Sequence, residues 1–239
     1  MLKYIFILFS IINVNSFSIP SKYILTQKQE KYNAFLEDPL KNLIVAHGPA
    51  GTGKTVLACK SAIEELKKGS TKRIILTRPV VTVEDENIGF LPGTMNEKMN
   101  PFLSPILDYL RDELSQQKLE SLLRCGTIEI APFGFMRGRT FNNCYIIADE
   151  MQNSTPQQMK MMLTRLGMNS KIVITGDKSQ SDLVNCHKNG LEDLLSHLEN
   201  YYYCEELRMY NDGISIIELD DLDIKRSKLC KKILDIYES

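Results

Sequence analysis

The chain holds 239 residues, 43% hydrophobic and 25% charged, with 29 Lys and Arg against 30 Asp and Glu. That composition suits one α/β domain with a sizeable core and leaves little room for a second full domain. A net charge of −1 argues against a generally basic coat for nucleic acid, while a local basic groove stays compatible with it.

The first twenty residues stand apart. Lys3 precedes an apolar run from Tyr4 to Ile12, followed by Asn13, Asn15, Ser16, Ser18 and Pro20. This is the layout of a cleavable targeting segment, too short to span a bilayer; a buried strand is the competing reading. Residues 1–20 are therefore set apart as a candidate leader and 21–239 as the domain. Without a working leader the chain is expected in the cytoplasm. With one, it is expected in an organelle, because Ser16-Phe17-Ser18 resembles the junction of bipartite plastid leaders. No stable membrane span is expected in the mature chain.

Beyond residue 20, apolar runs alternate with amphipathic segments, which predicts repeated βα units and a mostly parallel sheet. Strands are expected at 42–46, 73–77, 127–131, 144–148 and 171–175, with weaker ones near 201–207 and 214–219. Helices are expected at 27–36, 54–67, 118–123, 156–166 and 225–237. Residues 84–112, rich in Gly, Pro and Asn, read as a long loop with a short helix. Apolar strands such as Tyr145-Ile146-Ile147-Ala148 call for helices on both faces of the sheet. Six scattered cysteines with no CxxC pair fit a reducing setting, and Cys59 and Cys144 read as small buried hydrophobes.

Gly48-Pro49-Ala50-Gly51-Thr52-Gly53-Lys54-Thr55 fits G-x-x-x-x-G-K-[ST], with an apolar strand leading in and a helix leading out. Its glycines let backbone N–H groups turn toward phosphate oxygens. Lys54 supplies charge to the β- and γ-phosphates, and Thr55 offers a hydroxyl to Mg²⁺. Such a loop holds a triphosphate but does not place the attacking water. Acidic residues at the end of a neighbouring strand would do so, and Asp149-Glu150 closes one. Asp149 is the candidate Mg²⁺ partner and Glu150 the candidate general base. On an extended strand end the two would point to opposite sides. Gly176-Asp177, with Gln180 three residues on, ends another buried strand. In a parallel sheet it shares the same crevice, so Gln180 is a candidate γ-phosphate sensor.

Together these blocks resemble the PhoH-like proteins. The resemblance also rests on Leu76-Thr77-Arg78-Pro79, Gly89-Phe90-Leu91-Pro92-Gly93, Met136-Arg137-Gly138-Arg139-Thr140, Asp149-Glu150-Met151-Gln152-Asn153, Leu163-Thr164-Arg165-Leu166-Gly167 and Asp182-Leu183. It runs from about Thr26 to the C-terminus. It implies a RecA-like P-loop ATPase core related to superfamily 1 helicases, using ATP and Mg²⁺, commonly built as a homo-oligomeric ring, with RNA as a suspected partner. By the same resemblance Gln29, between Thr26 and Tyr32, looks like the adenine-recognising glutamine of such helicases. Arg78, Arg137 and Arg139 look like phosphate-meeting arginines, and Arg226 like an arginine finger. Two departures stand out: Met151 replaces the family's usual Ala, and Arg226-Ser227-Lys228 replaces an Arg-His-Pro block.

Phe133, Phe135 and Phe141 interleave with Arg137 and Arg139. This pattern would clamp single-stranded RNA, or would equally be core aromatics beside arginines that serve ATP or an interface. The reading that follows is a Mg²⁺-dependent ATPase coupled to RNA binding or unwinding. A nucleotide-gated regulatory protein with slow hydrolysis and a small-molecule kinase are its rivals. A single RecA-like domain would need its partner domain from a neighbouring subunit, hence the expected oligomer.

Overall fold

The computed structural model describes residues 25–79, 95–181, 189–203, 205–224 and 236, with side chains from residue 103 onward in the helix that starts at Met95. The leader, the motif at 89–93, Asp182-Leu183 and, of the expected C-terminal helix, residues 225–235 and 237 with Arg226 lie outside the described residues.

Six strands form one sheet: β1 (Leu43–His47), β2 (Arg73–Thr77), β3 (Ile128–Ile130), β4 (Cys144–Ala148), β5 (Lys171–Gly176) and β6 (Ile214–Glu218). Their order is β3-β2-β4-β5-β1-β6, and every neighbouring pair is parallel. Seven α-helices accompany them among the described residues: α1 (Gln27–Glu37), α2 (Lys54–Lys68), α3 (Met95–Leu114), α4 (Gln116–Arg124), α5 (Pro156–Leu163), α6 (Gly190–Tyr201) and α7 (Glu206–Asn211).

Alternation along the strands divides the core. Tyr145 and Ile147 of β4 face one side with α1–α4, while Cys144, Ile146 and Ala148 face the other with α5 and α6. Both faces are covered, as an all-parallel sheet requires. Cys59 and Cys144 are buried, as their apolar surroundings demand.

Three expectations change. The 84–112 loop gives way, from Met95 onward, to a 20-residue helix. Leu103, Ile106, Leu107 and Leu110 fall on its buried stripe, and this helical spacing outweighs the two prolines within it. Residues 201–207 are not a strand; they close α6 and open α7. Finally, the strand that carries Asp149 is not the neighbour of β1, because β5 lies between them.

Candidate functional site

Because all strands run the same way, the turns leaving β1, β4 and β5 gather at one edge of the sheet. Residues 48–55 form the turn from β1 into α2. Gly48 sits at φ +134°, and a Cβ there would lie 2.0 Å from the Leu219 carbonyl oxygen, so only glycine fits this approach. The Lys54 ammonium curls back over the loop, donating to the carbonyls of Gly48 (2.6 Å) and Pro49 (2.8 Å). The Thr52 hydroxyl also donates to Pro49 (2.9 Å).

Asp149 follows β4 and is 6% exposed. One of its carboxylate oxygens accepts from the Thr55 hydroxyl at 2.7 Å and from the Thr175 hydroxyl at 2.5 Å. Thr175 belongs to β5, so the interposed strand contributes directly to the acidic group. Glu150 departs from the expected pleat: it adopts a left-handed conformation (φ 53°) and starts a 3₁₀ turn, Met151–Asn153. This kink, rather than strand alternation, separates the two acids. Strain of this kind in a non-glycine residue persists only where surrounding contacts hold it.

Those contacts run through Gln152, which is 2% exposed. Its amide donates to Glu150 Oε2 at 2.5 Å and accepts from the Asp177 backbone N–H at 3.0 Å. A Cβ on Gly176 would come within 2.6 Å of the same amide oxygen. The Gln180 N–H donates to the Asp177 carbonyl (3.1 Å). A cleft of about 180 Å³ brings together Lys54, Thr55, Asp149, Glu150, Asp177 and Gln180. A second cavity of about 160 Å³ shares Thr55, Asp149 and Glu150 and is also lined by Arg78.

The remaining residues do not line the first cleft. Gln29 is buried, with both amide hydrogens and its oxygen engaged within the protein, and presents no exposed amide edge to a base. Arg139 does not reach the cleft, because it pairs with Glu129 (2.6 Å) and stacks over Phe141 (4.6 Å). Phe133 and Phe141 are core, whereas Phe135 is 58% exposed and Arg137, two residues on, is also exposed. Met151 is fully buried, so the larger side chain at this departure serves packing.

Sequence reasoning quoted Gln152 without a role and passed over Thr175. The threonine ends an apolar strand where a β-branched residue raises no question. His47, also passed over, is buried at the end of β1. Burial pushes its imidazole below the ordinary range, and Glu218, 3.7 Å away, opposes this.

A six-stranded parallel sheet with a glycine-rich loop between β1 and α2 defines the α/β, RecA-like P-loop fold. The large terminase of a thermophilic bacteriophage shares this fold, with a TM-score of 0.50 at 13% identity over 88% of this chain and 50% of its own. The family described as "PhoH-like protein" matches residues 23–238, and the chain belongs to it. A PhoH-like protein of Bacillus subtilis (strain 168) is 46% identical over 215 residues, 90% of this chain and 63% of its own length. Protein PhoH of Escherichia coli (strain K12) is 42% identical over 199 residues, 82% of this chain and 53% of its own. The chain thus spans roughly half to two thirds of these relatives. Among the described residues, no helix is long and apolar enough to cross a membrane.

Proposed function

We propose that this chain binds Mg·ATP at the 48–55 loop and hydrolyses it, with single-stranded RNA as the partner to which hydrolysis is coupled. The observation that carries the reading is the acidic pair beside the loop: Asp149 bonded to the Thr55 hydroxyl, with Glu150 lining the same cleft as Lys54 and Gln180.

The residues fit Mg²⁺. The Thr55 hydroxyl and the Asp149 carboxylate are hard oxygen donors, and among the described residues no group of three or more His, Cys, Asp or Glu could hold a metal by itself. One carboxylate and one hydroxyl, completed by phosphate oxygens and water, is how Mg²⁺ is usually held. Held there by Thr55 and Asp149, a bound Mg²⁺ would supply charge neutralisation to the phosphates. In this reading Lys54 leaves the Gly48 and Pro49 carbonyls for phosphate oxygens. Glu150 accepts the proton of the attacking water, and Gln180 donates its amide toward the γ-phosphate or that water. Gln152 holds Glu150 in place. RNA enters this proposal through the exposed Phe135 and Arg137. An aromatic face beside a guanidinium suits a stacked base and its phosphate.

The test is phosphate release from Mg·ATP by the purified full chain, with and without single-stranded RNA. RNA should raise the rate. Glu150→Gln should lower kcat by about 10²- to 10⁴-fold, and Lys54→Ala should abolish turnover. Tight ATP binding with negligible release under every condition would reject the motor and leave the nucleotide-gated protein. Phosphate passed to a small acceptor would instead mark a kinase.

A further inference from the structure

Three segments meet behind the phosphate loop, and Gln29 joins them. Its Nε2 donates to the Thr52 carbonyl (3.0 Å) and to the Asp223 carbonyl (3.0 Å), while its Oε1 accepts the Thr26 N–H (3.1 Å). Both amide hydrogens are therefore spent, and the side chain is 2% exposed. The amide also packs over Gly53, where a Cβ would lie 3.7 Å from Nε2.

The surrounding groups lock the same junction. The Thr26 hydroxyl donates to Asp223 Oδ1. The other Asp223 oxygen accepts the Asp220 N–H at 2.8 Å, and Asp220 pairs with Lys28 at 2.7 Å. On the far side, Gly48 rests against the Leu219 carbonyl. The start of α1 and the turn after β6 thus hold the loop from behind at Gly48 and Thr52.

A glutamine that reads adenine needs one donor and one acceptor presented together on an accessible amide edge. Gln29 presents neither donor. Releasing one would strand a buried carbonyl at Thr52 or Asp223, a cost comparable to the gain from a base contact.

We propose that Gln29 is a positioning residue that fixes the backbone of the phosphate loop, and is not a reader of the nucleotide base. The proposal rests on the reading of residues 48–55 as a nucleoside-triphosphate site. It predicts that loss of the Gln29 donors weakens triphosphate binding without regard to the base.

The experiment measures dissociation constants of Mg·ATP, Mg·GTP and Mg·tripolyphosphate by calorimetry for the full chain, Gln29→Glu and Asp223→Ala. Gln29→Glu keeps the acceptor that caps α1 but removes both donors. It should weaken every ligand that binds the wild type by a common factor of about ten. The ATP-to-GTP ratio should stay unchanged, and for ATP turnover KM should rise while kcat stays within about twofold. Asp223→Ala, which loosens the turn without touching the Gln29 side chain, should act in the same direction to a smaller extent.

A Gln29→Glu protein that loses ATP alone, with GTP and tripolyphosphate held as before, would overturn the proposal in favour of base reading. Unchanged affinities for all ligands, with only a lower Tm of the free protein, would overturn it in favour of a plain helix cap. If the wild type binds none of the three, the nucleotide-site reading itself fails and the proposal falls with it.

Discussion

His47 shows how much a single residue next to the 48–55 loop depends on its surroundings. It ends β1, is 5% exposed, and lies beside Glu218, which pairs with Lys178 at 2.8 Å. Lys54 and Asp177 also act on it, with opposite signs. Burial dominates, so the folded imidazole binds its proton less readily than the ordinary value of 6.5. The unfolded chain then takes up a proton that the folded chain refuses. The stability His47 confers is present above pH 6.5 and declines as pH falls through that value toward the depressed folded pKa. Urea unfolding at pH 7.5 and pH 5.5 should show a lower midpoint at the acid pH, and His47→Gln should reduce that difference. An equal drop in both proteins would assign the effect to other groups.

At the scale of elements, what the sequence made legible follows from which signals are local. β2 and β4 fall at their expected residues, because uninterrupted apolar runs admit little else. The turn from β1 into α2 was equally plain, since the glycines of residues 48–53 and the start of α2 at Lys54 are contiguous. Glu150's left-handed kink and the reach of Gln152 to Asp177 were not, because each depends on a partner 25 or more residues away or on backbone that no side-chain pattern encodes. Gln29 belongs with them: three residues after Thr26, it completes a capping box with it, and its buried bonds to Thr52 and Asp223 span distances that no local pattern encodes. In α3, Gly, Pro and Asn on its N-terminal side masked a buried stripe that packs on α2. Leu110 lies on that stripe and is fully buried. Leu110→Ala should therefore cost about 2–5 kcal/mol, read as a lowered urea midpoint. A loss below about 0.5 kcal/mol would mean that α3 packs only loosely.

For the whole molecule, the parallel sheet gathers the cleft of Lys54, Asp149 and Gln180 at one edge. The resemblance to PhoH-like proteins implies a homo-oligomer with Arg226, which lies outside the described residues, as an arginine finger, and mixed subunits would test that expectation. Trans-acting arginines of this type stabilise the charge that develops during phosphoryl transfer. The prediction concerns mixtures. Lys54→Ala and Arg226→Ala proteins, each inactive alone, should regain part of the ATPase rate when combined, because some interfaces then pair an intact loop with an intact arginine. No recovery in a mixture shown to co-assemble would place Arg226 in its own cleft or outside the chemistry.

The turn after β5 has a wider consequence. Gly176 accepts the Gly48 N–H through its carbonyl (3.1 Å) on one flank, and its neighbour Asp177 engages Gln152 on the other. The 48–55 loop and the Gln152–Glu150 pair are thus fastened to opposite sides of one hinge-pin, and on the proposed reading phosphate holding and water activation would be retuned together. Substitutions on the two flanks should behave as faults in a single machine part: once the first has loosened the pin, a second adds little. Any ligand that shifts this turn would be felt simultaneously by the 48–55 loop and by Glu150.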